Sequence, residues 1–223
     1  MATDSAVISD SIGVGIATGA YGISFGAIAV ASGLSIPQAC ALSLLVFTGA
    51  SQFAFIGVIG AGGAPLAGAL TAVLLGSRNM FYGLSLAPHL EVRGVAKAAA
   101  AHVVIDESIA MAVTRDSSHQ ARLGFYWTGW SIFVLWNLMT LVGAIAGEAM
   151  GDPLAYGLDA AVGAAFLGLL WPRLDTWIAR LVASAAAAAA MGLIPFTAAG
   201  VPIILGGTIA VAVGMVLSRR SKP

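Results

Sequence analysis

APLAGALTAVLLGSRNMFYGLSLAPHL, residues Ala64–Leu90, is long and apolar enough to cross a bilayer, since a span needs about 20 mainly apolar residues. Arg78 lies near its middle. A charge near the bilayer centre costs between about 3 and 17 kcal/mol, depending on how it is measured. A chain keeps such a residue only where it has a partner, a water-filled cavity or a task.

The rest of the chain has the same character. Its 223 residues are 59% hydrophobic and 9% charged, with a mean hydropathy of +0.96. Ordinary soluble domains are about 25% charged. The apolar runs are continuous rather than alternating, which excludes a barrel. The fold class is therefore all-α integral membrane, with about seven transmembrane helices in one domain over 1–223 and a membrane-embedded core over 9–218. The predicted spans are 11–33, 38–60, 65–90, 121–147, 154–171, 177–192 and 200–218. Gly and Pro punctuate the joins at Gly33–Pro37, Gly60–Pro65, Gly151–Pro153 and Gly192–Pro195.

Residues Ala96–Val113 contain His102, Asp106 and Glu107 and sit between the two categories. If this segment does not cross, seven spans lead from an external N-terminus to an internal C-terminus. Arg93, Lys97, Arg115, Arg122, Arg173, Arg219, Arg220 and Lys222 then share one face. Asp4, Asp10, Glu148 and Asp152 share the other, the asymmetry that positive-inside sorting favours. If it crosses, both ends lie inside and Arg93 and Lys97 move out. The first arrangement sorts charge better and is preferred. Pro37 and Pro153, at matching places in the two halves, suggest an inverted repeat of three helices plus three, with one further helix.

Gly15, Gly19, Gly22, Gly26, Ala29 and Gly33 recur along one face of the first span, a pattern for close helix packing or for a sliding surface. Alanines 185–190 are too weakly apolar to face lipid alone and predict packing against other helices. Asn137, inside an apolar span, predicts a hydrogen bond between helices. Trp127, Trp130, Trp171 and Trp177 read as interface anchors. The single Cys40 supports neither a disulfide framework nor a thiol metal site. MATDSAVISD lacks the basic start of a secretory signal. The zero formal net charge gives no reason to expect nucleic acid. His89, His102 and His119 are too scattered for a metal, and no hydrolase, zincin or nucleotide-loop motif occurs. No enzyme activity and no cofactor is expected, and uphill transport would need an ion gradient or exchange.

Three places carry candidate chemistry. Thr48-Gly49-Ala50-Ser51-Gln52 interrupts an apolar span with small and polar residues, which suggests a broken helix whose free backbone groups line a cavity. Gly76-Ser77-Arg78-Asn79, followed by Tyr82 and Ser85, repeats the theme. Asp106 and Glu107 are the acids expected at membrane depth. Arg78 and Ser51–Gln52 suit a carboxylate. Asp106 or Glu107 suits an ammonium group or a coupling proton. For each the bland alternative stands beside it: a structural ion pair for Arg78, a satisfied amide for Gln52, solvated acids for Asp106 and Glu107.

Thr48–Phe53, Arg78, Tyr82-Gly83-Leu84-Ser85-Leu86-Ala87-Pro88, the Asp106–Glu107 pair and Gly157-Leu158-Asp159-Ala160-Ala161 together resemble the AzlC family of branched-chain amino-acid exporters, over about residues 9–218. Gly76 and Asn79 depart from the family's usual residues beside the arginine. The resemblance implies a multi-pass secondary exporter of the bacterial inner membrane. It implies L-valine, L-leucine and L-isoleucine as substrates, coupling to the proton motive force and a small AzlD-like membrane subunit as partner. Ser51, Gln52, Arg78, Asn79 and Tyr82 would then contact substrate, with Asp106 and Glu107 on the ammonium or proton. The rivals are a channel-like permease, which would not accelerate counterflow, and a non-transporting membrane scaffold.

Overall fold

The computed structural model describes residues 3–151, 163–164, 167–168 and 170–220, with side chains to 217. The predicted span 154–171 and the Gly157–Ala161 motif fall mainly outside these residues. Among the described residues every regular element is helical, as an all-α membrane protein requires. Three helical stretches are long and apolar enough to cross a membrane: Asp4–Ala31, Ser118–Met150 and Trp177–Phe196.

The first stretch consists of α1 (Asp4–Gly19) and α2 (Gly22–Ala31), bent at Ala20–Tyr21. It runs parallel to α8 (Ser118–Met150). Gly15 lies against Ser131, Gly19 against Leu135, and Gly26 against Thr140 and Ala144. A β-carbon at Gly26 would run into the Thr140 carbonyl oxygen. The glycine face predicted from sequence is thus where two backbones meet. The N-terminal ends of both helices share one face of the molecule, here the N-side. There His119 Nε2 lies 3.0 Å from Asp4 and an Arg115 nitrogen 3.5 Å from Asp10.

The predicted span 38–60 does not cross. It is a hairpin of α3 (Ile36–Leu45) and α4 (Ala50–Gly60). Each arm is about 15 Å long, half the hydrocarbon thickness. α3 enters from the far side, antiparallel to α8: Ser43 Oγ is 3.2 Å from Thr140 Oγ1, and the Phe47 and Phe133 rings are 5.1 Å apart. α4 then returns. Phe53 packs on Phe25 at 5.6 Å and Gly60 lies against Ser32, just beyond the far end of α2. Gly49 makes the reversal at φ 61°, ψ −90°, a conformation open to glycine. Gln52 then clamps the tip: its Oε1 accepts from Gly49 N at 3.1 Å and its Nε2 donates to the Leu42 carbonyl at 3.3 Å.

α5 (Pro65–Leu90) is long enough to carry the chain from the far side to the N-side, although, against expectation, it is not among the three stretches that are also apolar enough. Gly68 lies against Phe55 and Gly76 against Ser51, while Glu91, just past the end, lies 3.6 Å from Arg122. α6 (Gly94–His102) and α7 (Asp106–Val113) form a second hairpin, entering from and returning to the N-side. Gly129 lies against Val103 at its tip and Gly124 against Met111 on its way out. Here Ser108 is the clamp: its Oγ accepts from Ile105 N at 3.1 Å and donates to the Val103 carbonyl at 2.7 Å. Residues 96–113 therefore do not cross, as preferred from charge sorting.

Among the described residues one long helix followed by one hairpin occurs twice, in opposite senses; the second half of the expected three-plus-three repeat includes 154–171, which lies mainly outside them. α8 follows. α9 (Trp177–Leu193) and α10 (Val201–Arg220) form an antiparallel pair, with Gly206 against Ala186 and Ala190. Gly200 lies against Val58 and Ala67, and Gly207 against Leu74, so α10 runs parallel to α5 and ends on the N-side. The ends of α1 and α10 thus share a face, contrary to the seven-span alternation. Asp4 and Asp10 lie with the basic residues and not opposite them. The reason is the hairpin: 38–60 reverses at its middle instead of crossing.

Candidate functional site

The two hairpin tips meet at mid-depth. Phe47, Thr48 and Gly49 of the first and Ile105, Asp106 and Glu107 of the second line a cavity of about 520 Å³. Thr18, Tyr21 and Ser24 at the α1–α2 bend contribute polar groups, while Phe53, Ile132 and Trp136 form an apolar wall. The volume lies within the range of small-molecule sites. The apolar wall is rigid, because the Phe25, Phe53 and Trp136 rings pack with centroids 5.6, 6.0 and 6.2 Å apart.

Asp106 is the charge centre. Arg78, about 20 Å along α5 from its start, places a guanidinium nitrogen 2.7 Å from Asp106 Oδ2. Arg173 lies 3.4 Å from Oδ1. The Arg78 and Asp106 side chains are 22% and 19% exposed. Tyr82 lies one turn beyond Arg78, on the same side of α5, near the same carboxylate. Asp106 is also the first residue of α7, where a negative charge suits the helix dipole. Glu107 borders the cavity without an ion pair among the described residues.

Arg78, Tyr82, Asp106 and Glu107 are therefore brought together. Gln52 is fully buried with its amide engaged in the tip. Ser51 is buried beside Gly76, its hydroxyl without a partner among the described residues, and Asn79 Oδ1 is likewise unpartnered. Neither lines the cavity. Asn137 does not bridge helices through its amide nitrogen, which donates to the Phe133 carbonyl of its own helix at 2.8 Å. Sequence reasoning missed Thr18, Tyr21 and Ser24, and it placed Arg173 on a surface loop rather than beside Asp106.

Residues 13–150 match the family model described as AzlC protein. The chain belongs to the AzlC family. The AzlC match takes in both hairpins, α5 and α8, so every described cavity residue except Ala164 and Gly168 lies within it. AzlC proteins are associated with branched-chain amino-acid transport. No curated protein and no solved structure matches this AzlC chain.

Proposed function

We propose that this AzlC chain is the large subunit of a proton-coupled exporter of L-valine, L-leucine and L-isoleucine. It would work with a small AzlD-like subunit in a bacterial inner membrane. The observation that carries this reading is the cavity where two helix breaks meet beside Arg78 and Asp106. A branched-chain amino acid is a zwitterion with a compact aliphatic side chain. The first N–H groups of α4 have no intrahelical partner, and with the Thr48 hydroxyl they suit its carboxylate. Glu107 suits its ammonium group. Phe53, Ile132 and Trp136 suit the side chain.

Arg78 is engaged by Asp106 in this state. A proton arriving on Asp106 would release Arg78 to the substrate carboxylate, which ties proton and substrate in one step. Positive-inside sorting favours the N-side as cytoplasmic, since Arg93, Arg115, Arg122, Arg219 and Arg220 lie there. The reading is tested by valine efflux from dipeptide-loaded cells, with and without the small-subunit gene. Efflux should need both chains and fail in Arg78→Leu despite normal membrane insertion. Normal efflux in that variant sinks the proposal.

A further inference from the structure

Each hairpin tip is closed by its own clamp, Gln52 in one and Ser108 in the other. Each can therefore move as a unit. The seam between the tips is much thinner. Among the described residues, one hydrogen bond crosses it, from His102 Nε2 to the Leu44 carbonyl at 2.9 Å. Because that carbonyl can only accept, Nε2 must carry the proton. The imidazole is held edge-on to Phe133 at 5.3 Å and leans on Phe47 at 6.3 Å.

The bond has a physical motive. Leu44 belongs to the last turn of α3, whose carbonyls lack helical donors. In hydrocarbon an unmet carbonyl costs several kcal/mol, so a broken helix needs an outside donor. Hairpin 1 receives that donor from hairpin 2. The arm that delivers it is also sparsely packed: on α6, residues 94–99 are exposed and Ala100 is buried. A helix so lightly held is free to shift once its end is released.

We propose that the two hairpin tips are paired gates of the central cavity, and that His102 is the positioning residue tying one gate to the other. This rests on the transport reading only in taking the cavity as the route. When the tie breaks, the tips part and the cavity opens toward the face whose hairpin withdraws. When it forms, residues 47–49 and 105–107 close over the contents from both sides.

The test reads side-specific accessibility and needs no substrate. Cys40 is the chain's one cysteine, so Cys40→Ser gives a clean background and Thr48→Cys places a thiol at the cavity wall. A membrane-impermeant maleimide is applied to right-side-out and to inside-out vesicles. His102→Leu should raise Thr48→Cys labelling by up to about tenfold, the range one hydrogen bond commands. His102→Gln, which retains an N–H donor, should label close to the parent rate. Ser11→Cys, fully buried where α1 meets α8, should keep its parent rate in every background. Unchanged labelling at Thr48→Cys in His102→Leu overturns the proposal, as does an equal rise at Ser11→Cys. Should His102→Leu not insert, Phe133→Leu removes the ring bracing the imidazole and should raise labelling several-fold; no rise there overturns it too. Failure of valine export would leave these rates untouched, so the two readings fall separately.

Discussion

Asp106 holds two arginines at once, and this fixes what its removal should do. Asp106→Asn leaves Arg78 and Arg173 without their anion at membrane depth. Breaking a fully buried pair costs about 3–5 kcal/mol. Here both side chains of the closer pair are about a fifth exposed, so a loss of about 1–3 kcal/mol is expected. Arg78→Leu combined with Asp106→Leu should be less destabilising than the sum of the single changes, with a coupling of about 0.5–3 kcal/mol in a double-mutant cycle of thermal unfolding. Export should stay lost in the double variant even where stability returns. Stable protein with normal export would make the pair purely structural. Arg173→Leu should cost less than Arg78→Leu, because its contact is longer and its side chain is half exposed. Arg78 and Asp106 were legible because a charge in an apolar stretch is expensive and must be explained. Thr18, Tyr21 and Ser24 were not, because small hydroxyls and a tyrosine in an apolar helix cost little and raise no question. Arg173 was misplaced because Trp171–Pro172 signals that the chain turns but not how deep in the membrane the turn lies.

At the level of elements, the two hairpins were unequally visible. The second revealed itself through His102, Asp106 and Glu107, which make 96–113 too polar for an ordinary span. The first is apolar on both arms, so hydropathy reads 38–60 as one helix. Its break was signalled only by Thr48–Gln52, and hydropathy cannot distinguish a kink from a full reversal. The difference lies in Gly49 and in Gln52, whose amide satisfies both sides of the turn. Gln52→Leu should therefore destabilise by about 1–3 kcal/mol for each polar group it leaves unpaired. Gln52→Glu keeps an acceptor for Gly49 N, but its carboxyl can donate to the Leu42 carbonyl only when protonated, so its loss should shrink as pH falls. Gly49→Ala forces a β-carbon into a backbone region of about 1–3 kcal/mol strain. Thermal unfolding in detergent measures all three, and a neutral Gln52→Leu would mean that the amide does not hold the tip together. The glycine face of α1 and α2 was read correctly from spacing, because close approach needs small residues at helical intervals. Gly26→Ala should cost about 1–3 kcal/mol or more by overpacking, since its methyl would meet the Thr140 and Ala144 backbone. Gly13→Ala, with open space around it inside α1, should cost nothing and can stabilise by up to about 1 kcal/mol in the same assay.

For the whole molecule, the decisive quantity is how often the chain crosses. All-α membrane character followed from composition together with the continuous apolar runs, because only helices and closed barrels satisfy the backbone in lipid, and barrel strands alternate. The crossing count did not follow, because a half-length hairpin and a full span bury similar numbers of apolar residues. Counting 38–60 as a crossing puts every later described segment on the wrong face relative to the N-terminus. Charge sorting does not reveal the reversal, because Asp4 and Asp10 also sort well when set opposite the arginines. In the fold Asp10 lies on the same face as those arginines, paired with Arg115, and Asp4 lies beside it against His119. This gives a sharp prediction. In the Cys40→Ser background, single cysteines at Ser35 and Gly62 flank the first hairpin and should both react from the far side. Cysteines at Arg93 and Asp116 flank the second and should both react from the N-side, together with a tag on either terminus. If 38–60 crossed, Ser35→Cys and Gly62→Cys would label from opposite faces and the termini would part company. Two hairpins entering from opposite faces also explain why an uncharged far rim is tolerated around residues 32–36 and 60–65. Membrane insertion is oriented by basic residues near span ends, and with those gathered on the N-side, the far loops need only be small enough to fold back on themselves.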